Sequence, residues 1–404
     1  MKNIFRWLSP TRPAVPKNSL ADTGPDELKS GGLTSLFAVS GGYRAQWSQP
    51  DYGTMARRGF MANPIVYRCV RLISETASAI PLLIYQAQKE LDVHPMLALM
   101  RRPNPRQTGK ELMETLIGHL LISGNAYVNL LEIDGTPKEL HALRPDRVKP
   151  VVDRDGWIEG YDYVSNKNKT RYLQDAAGLS RILHLTLFHP LEDQEGFPPL
   201  QAALMALDVH NSASRWNKAL LDNSARPSGA LVYSSSSGAN MGEEQFARLK
   251  SELEEGYTGA SRAGRPMLLE GGLDWKAMGY SPKDMDFVDT RNAAARDIAL
   301  AFGVPPMLLG IPGDNTYSNY QEANRAFTRQ TLLPLITRTL ESFNHWLKPR
   351  FGEDISLAID EDRIPGLADE RDAVWRRLKE AEFLSDAEKR QAVGYSPDLQ
   401  EGGA

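Results

Sequence analysis

The stretch DMDFVDTRNAAARDIALAFGVPPMLLGIPGDNTYSNYQEANRAFTRQTLLPLITRTLESFNHWLKPR, Asp284 to Arg350, decides how this chain folds. Its first part returns Phe287, Ala294, Ile298, Ala301 and Phe302 at helical intervals and sets Arg291, Asn292, Arg296 and Asp297 on the opposite side. That pattern predicts an amphipathic helix. Gly303 accepts the left-handed exit conformation and Pro305-Pro306 cannot continue the hydrogen-bond ladder, so the helix stops there. Met307 to Ile311 is apolar and Pro312-Gly313-Asp314-Asn315 is turn chemistry. Asn315 to Gln321 is polar, uncharged and tipped by Tyr317 and Tyr320, which predicts an exposed loop. A longer helix follows, with Leu333, Ile336, Leu340, Phe343 and Leu347 as its apolar stripe. Pro334 falls inside it and predicts a bend, because it removes a backbone donor and clashes with the carbonyl four residues earlier.

Before this stretch, Leu200 to Ser224 reads as a helix with Leu204, Leu207, Asn211 and Leu221 near one face. Ala203, Ala206 and Ala213 keep a neighbouring face thin enough for close packing. Arg226 to Tyr280 reads as a compact inserted unit. It holds a strand GALVY, a flexible SSSSGAN, a charged helix from Gly242 to Glu254 with Phe246, Leu249 and Leu253 as its stripe, and a strand pair in RPMLLEGGLDWKAMG turned at Gly271-Gly272. An insertion between two helices predicts that the helices run side by side.

Residues 1 to about 60 are rich in Pro, Gly and Ser without periodicity, and are expected to form a flexible arm. Order is expected from Asn63-Pro64, an N-cap followed by a first-turn proline, with Ile65, Cys69, Leu72, Ile73 and Thr76 on one face. Leu82 to Gln86 reads as a strand, and His94 to Met100 and Lys110 to Ser123 as helices. From Ala126 to His189 the texture is β: AYVNLLEI, the turn Asp134-Gly135, ELHALRPDRVKPVVD, the turn Asp155-Gly156, WIEGYDYV, and RILHLTLFHP at 181 to 190. Beyond Phe351, ISLAIDE reads as a strand and ADERDAVWRRLKEAEFLSDAEKRQAVG as helical. There is no internal repeat.

The 404 residues allow two to three domains, or one with large insertions. Forty-seven basic residues against 51 acidic ones give a net charge of −4, so no global polybasic footprint points to tight, sequence-independent nucleic-acid binding. The one cysteine, Cys69, excludes an intrachain disulfide and a multi-cysteine metal site, and suits a reducing compartment. No run approaches the roughly 20 apolar residues that span a bilayer, and Arg6 and Pro10 break the apolar start, so neither a signal peptide nor an anchor is expected.

The motif tests are mostly negative. TGK at Thr108 to Lys110 fails as a phosphate cradle, because Asn104 stands where the first glycine belongs and Glu111 where the magnesium-binding hydroxyl belongs. No G-x-S-x-G is present, and GASRAG at Gly259 has the wrong spacing. The histidines form no H-E-x-x-H or similar spacing. His184 and His189 flank one strand end within possible reach of His141, yet local hydrogen bonding accounts for them more simply. Basic clusters stand at Arg57-Arg58, Arg101-Arg102 with Arg106, Arg144 to Lys149 and Arg376-Arg377. Each is more simply a solvated face than a phosphate grip. No catalytic residue, metal ligand or cofactor site emerges.

The order of elements carries more than any motif. NPIVYRCVRLISETASAIPLLIY from Asn63, RRPNPRQTGKELMETLIGHLLISGNAYV from Arg101, ELHALRPDRVKPV from Glu139, FGVPPMLLGI from Phe302 and EFLSDAEKRQAVGYSP from Glu382 resemble the portal proteins of long-tailed bacteriophages and of gene transfer agents. With the elements between them they cover most of residues 60 to 400.

The resemblance implies an α+β subunit, non-enzymatic and without cofactors or metal, assembled as a ring of about twelve. Its parts would be a flexible arm (1–60), the N-terminal part of a wing (61–197), a stem helix (198–224), a clip (225–283), a second stem helix (284–302), a tunnel loop with a long kinked wing helix (303–350), and a short crown and tail (351–404). Double-stranded DNA would pass through the ring during packaging and ejection. The partners implied are the terminase large subunit, a head-tail adaptor and the major capsid protein, at the portal vertex of a virion or gene transfer agent particle assembled in the host cytoplasm. Asp314, Asn315, Thr316, Tyr317, Ser318 and Asn319 would border the DNA. Leu231, Tyr233, Leu268, Leu269 and Trp275 would form the clip and its subunit interface. The rival readings are a nucleic-acid-processing hydrolase and a structural capsid adaptor without a channel.

Overall fold

The computed structural model describes residues 48–87, 89–166, 168–175, 178–222, 229–233, 242, 244, 247–248, 251, 273–277, 287–313, 316–352 and 354–394. Order begins earlier than composition suggests. The helix α1 (Tyr52–Thr54) is capped by Asp51 and runs into a π turn, Met55–Phe60, with Met55 buried. Ser48 is tied down as well: its backbone N–H and its hydroxyl both donate to the Asp208 carboxylate, at 2.7 and 2.6 Å. The flexible arm expected to reach residue 60 therefore cannot extend past 47. The anchor is a carboxylate 160 positions away, which local composition does not reveal.

Helix α2 (Pro64–Ala79) starts as its sequence dictates, with the Asn63 side chain accepting from the N–H groups of Ile65 and Val66. It buries Val66, Cys69, Val70, Ile73 and Ala77. Burial in this apolar face pushes the Cys69 thiol up to about 12, so it stays an inert thiol. Strands β1 (Leu82–Gln86) and β2 (Lys89–Glu90) follow, then helices α3 (Pro95–Arg101) and α4 (Gly109–Ser123). At the head of α4, Thr108 and Glu111 close a capping box. The Glu111 that spoils a phosphate cradle is there to start a helix.

The β region comprises β3 (Asn125–Ile133), β4 (Thr136–Leu143), β5 (Val148–Val152), β6 (Ile158–Ser165), β7 (Asn168–Leu173) and β8 (Ile182–Thr186). They form two antiparallel sheets, ordered β4-β3-β8 and β5-β6-β7. Asp134 and Gly135 both take positive φ, 51° and 72°, the geometry of the tight hairpin turn their sequence predicts. Strand β8 stops at Thr186 and not at residue 190. Strand β7 was not anticipated, because NKTRYL is polar; it is held by Asp162, which pairs with both Lys169 and Arg171.

Helices α5 (Pro199–Ala202) and α6 (Leu204–Asp222) lead to a two-stranded antiparallel ladder of β9 (Gly229–Tyr233) and β10 (Leu273–Ala277). Helix α7 (Phe287–Ala301) then packs along α6. Small side chains are buried on both helices, Ala213 on α6 and Ala294, Ala295 and Ala299 on α7, the last two packing with Ile311. Next come α8 (Tyr317–Phe327), a π turn (Thr328–Leu332), and α9 (Leu333–Phe351). Strand β11 (Ile355–Ile359) and helices α10 (Ala368–Glu380) and α11 (Asp386–Ala392) complete the described chain.

Strand β11 pairs antiparallel with β1, Ile84 opposite Leu357, and its buried Ile355 and Leu357 join the main core. The segment from residue 351, expected to open a crown, thus begins with a strand in the same sheet as β1, from the region expected to be a wing. The core beneath it is continuous through α2, α4, β3, α6, α7 and α9, with Ile73, Leu116, Leu207, Ile298 and Phe343 all fully buried. Each such side chain contributes about 1.5–3 kcal/mol of transfer free energy.

Candidate nucleic-acid interface

Helix α7 ends as its sequence dictates. Gly303 takes φ 65°, where a Cβ would meet the Thr331 hydroxyl at 2.7 Å, and Thr331 donates to the Gly303 carbonyl at 2.6 Å. A 3₁₀ turn at Pro306–Leu309 follows, and the Arg296 guanidinium on α7 donates to the Pro312 carbonyl. Asp314 and Asn315, two of the expected channel residues, lie outside the described residues.

The expected loop from Asn315 to Gln321 needs correction. Thr316 is an N-cap whose hydroxyl accepts from the Asn319 N–H at 3.3 Å, so Tyr317, Ser318 and Asn319 form the first turn of α8. Sequence reading missed this start because Ser and Asn favour turns and no large aliphatic side chain marks a helical stripe between Thr316 and Phe327. The Thr316 hydroxyl was the available signal. The expected exposure is present: Tyr317 is 79% and Tyr320 47% exposed, and Ser318, Asn319 and Gln321 are exposed beside them. That surface carries no formal charge.

Farther along α8 the charges are paired. Arg325 lies 3.2 Å from Glu322, 3.7 Å from Asp369 and 3.4 Å from Glu370, and Arg329 lies 3.2 Å from Glu370. The cluster joins α8 to the start of α10. Between the two helices and α2 lies a groove of about 790 Å³, lined by Leu72, Thr76, Ile80, Tyr317, Tyr320 and Ile364 among others. Only the Glu322–Arg325 pair is local, three residues apart; the pairing to α10 was not visible in the sequence, since Asp369 and Glu370 lie more than forty residues from the arginines.

Pro334 acts differently from a simple bend. Helical backbone continues from Tyr317 to Phe351, and the interruption that the proline demands takes the form of the π turn just before it, where the Leu333 N–H reaches back to the Thr328 carbonyl. Thr328 is tightly held, since a Cβ on Gly366 would meet its hydroxyl at 2.4 Å.

The other expected sites fall as follows. Leu231 stands opposite Trp275, and Tyr233 opposite Leu273, in the β9–β10 ladder; Leu268 and Leu269, with the first strand of their expected pair, lie outside the described residues. The three histidines weighed as a cluster go to separate partners. His141 contacts Glu139 at 2.8 Å, His184 stacks on Tyr127 and donates through Nε2 to Asn125 Oδ1 at 2.9 Å, and His189 Nδ1 accepts from the N–H groups of Leu191 and Glu192. Burial pushes the His184 imidazole down to about 4, and does the same to His119. Among the described residues no group of three His, Cys, Asp or Glu side chains is placed to hold a metal, and no helix is long and apolar enough to cross a membrane.

This arrangement is a familiar one. A sequence model of the phage portal protein family matches residues 64–394. The chain belongs to that family. It is 42% identical over 357 residues to an uncharacterized protein of Rickettsia felis, covering 86% of this chain and 91% of that one. It is 27% identical over 314 residues to the portal protein of Enterobacteria phage HK97, covering 75% and 70%. Among solved structures, a chain in the neck of an empty gene transfer agent particle, computed with C6 symmetry, is 50% identical and superposes with a TM-score of 0.69 over 89% of this portal-family chain and 98% of that chain. The neck of a native particle, computed with C12 symmetry, contains a chain 49% identical with a TM-score of 0.67. An HK97-family portal protein from Corynebacterium diphtheriae shares the fold at 17% identity and a TM-score of 0.56.

Proposed function

We propose that this portal-family chain assembles head to tail into a twelve-membered ring at one vertex of a phage or gene transfer agent particle, and that DNA enters and leaves through its centre. The observation that carries this reading is the 50% identity to a neck subunit over nearly the whole of both chains. A heterologous interface closes into a ring when its rotation divides a full turn. Twelve copies agree with the C12 symmetry of the native neck.

Physical chemistry supports passage over grip. Each phosphate neutralised by Lys or Arg releases counterions and becomes a sticking point for sliding DNA. The first turn of α8 offers tyrosines, Ser318 and Asn319 without charge, while Arg325 and Arg329 behind them are committed to Glu322, Asp369 and Glu370. In this reading α6 and α7 are the stem, the β9–β10 unit is the clip that docks the terminase large subunit, and residues 312–320 approach the DNA. The ring itself does no chemistry; the packaging ATPase supplies the work.

Electron micrographs of the purified full-length protein test the conduit. Rings with a central hole are expected, and particles without a hole would overturn the reading. Hydrolysis of ATP or of phosphodiester bonds by the pure protein would restore the enzymatic alternative. For the clip, Leu268→Asp with Leu269→Asp is expected to disrupt assembly or terminase docking, and normal behaviour in both would count against that assignment.

A further inference from the structure

The Arg376-Arg377 cluster on α10 is not used by the conduit reading, and the structure shows what it faces. Helices α10 and α11 enclose a cleft of about 530 Å³ lined by Trp375, Arg376, Leu378, Lys379, Lys389, Arg390 and Val393. Two ties set the cleft: the Arg371 guanidinium pairs with Asp362, and it also donates to the Val393 carbonyl at 3.4 Å, joining α10 to the end of α11. The floor is aliphatic, and the Trp375 indole is 48% exposed at its wall.

Cations in the last turn of a helix are common because they complement the helix dipole. Here the last turns of two helices bring Lys379 and Lys389 to one cleft whose lining contains no carboxylate. Asp372, Glu380, Glu382 and Asp386 stand on the same helices or the link between them but do not line the cleft. Asp369 and Glu370 pair with Arg325 and Arg329, and Glu388 closes the Ser385 capping box. Among the described residues Arg376, Lys379 and Lys389 make no ion pair, although the chain as a whole is acidic at −4. A lining of cations without a carboxylate, around an aliphatic floor with a half-exposed indole, is complementary to a polyanion that also offers flat apolar faces. Nucleic acid with unpaired bases has both.

We propose that the α10–α11 cleft binds DNA at an end or a frayed stretch, with phosphates on Arg376, Lys379 and Lys389 and an unstacked base on Trp375. The choice of DNA over other polyanions rests on the conduit reading; the cleft's charge and shape do not. A channel that lets duplex slide would thus carry, on its C-terminal helices, a separate place that holds a strand end.

The test uses the intact full-length protein and three fluorescent probes: a duplex with a 3′ single-stranded overhang, the same duplex blunt-ended, and polyglutamate of matched charge. The overhang duplex is expected to bind best. Charge reversal of Lys379→Glu with Lys389→Glu should weaken it at least tenfold and make the dependence of log affinity on log salt shallower by about 1.4–1.8 for two lost phosphate contacts. Trp375→Ala should remove the preference for the overhang while leaving salt-dependent binding. Lys379→Gln with Lys389→Gln, a milder change at exposed positions, should weaken binding in the same direction. Affinity unchanged by charge reversal, equal affinity for blunt and overhang duplexes, or equal affinity for polyglutamate would each overturn the proposal. Micrographs of the same samples separate the two readings: holed rings that fail to bind the overhang duplex sink the cleft and leave the conduit standing.

Discussion

Arg350, at the end of the long helix, sets its Nε 2.6 Å from Oε1 of Glu132 on β3, across 218 residues of chain. The two side chains are only 7% and 17% exposed. The same guanidinium donates to the Ser180 carbonyl at 3.1 Å and lies 5.6 Å from the centre of the Trp346 ring, whose own Nε1 donates to Ser180 at 2.8 Å. One cation thus fastens α9 to the sheet β4-β3-β8.

Breaking this pair from one side should be costly, because it leaves a charge without its partner in a nearly dry site. Arg350→Met is expected to lower unfolding free energy by about 3–5 kcal/mol. The double change Arg350→Met with Glu132→Leu should recover part of that loss. Urea unfolding of all variants decides it; a double variant as unstable as the single one would show that the carbonyl bonds, and not the ion pair, carry the effect.

Asn63 does two things at once. It caps α2, and its Nδ2 donates to Asn211 Oδ1 at 2.9 Å and lies 3.0 Å from His210 Nδ1, joining α2 to α6. Asn63→Ala should therefore cost more than an ordinary cap, about 2–3 kcal/mol. Asn63→Ser, which keeps only the cap, should fall between the two in thermal unfolding.

Gly124 and Gly196 cross so closely that neither tolerates a side chain. A Cβ on Gly124, at φ 75°, would meet the Gly196 carbonyl at 2.2 Å, and one on Gly196 would meet the Gly124 carbonyl at 2.0 Å. Both atoms are backbone, so no rotamer change relieves the clash. Either alanine variant is expected to express as unstable or aggregated protein, measured by soluble yield and melting temperature; wild-type behaviour would contradict the crossing.

Acid should destabilise the fold before the carboxylates titrate. His119 and His184 are held neutral by burial, both down to about 4 from an ordinary value of 6.5. Between those values the unfolded chain binds more protons than the folded one, so stability is full above pH 6.5 and falls as pH drops toward 4. The loss is at most about 3 kcal/mol per histidine. Denaturant midpoints at pH 7 and pH 5 should differ, and His184→Gln should reduce the difference while keeping a donor toward Asn125.

For the proposed approach to DNA, Tyr317→Ala with Tyr320→Ala should leave rings intact and impair DNA packaging or retention, since both side chains are exposed and contribute little to the fold. Thr316→Ala should fray the first turn of α8 at a cost of about 1 kcal/mol. Packaging by tyrosine-free rings at the normal rate would remove the tunnel assignment.

By itself the sequence determined what local chemistry encodes. Asn63 and Pro64 begin α2, Asp134-Gly135 turns a hairpin, Gly303 with Pro305-Pro306 ends α7, and the alanines of Leu200 to Ser224 anticipate a close helix pair. Caps, turns and periodicity act over a few residues, so a few residues suffice to read them. Tertiary structure decided what depends on distant partners: Ser48 held by Asp208, β11 paired with β1, Arg325 and Arg329 neutralised by the start of α10, and Pro334 absorbed in a π turn. Even α8 belongs here, because Thr316 to Gln321 prefers turns in isolation and becomes helical where Phe327 packs into the core. Those choices follow from which distant surfaces bury one another, and no local window of sequence contains them.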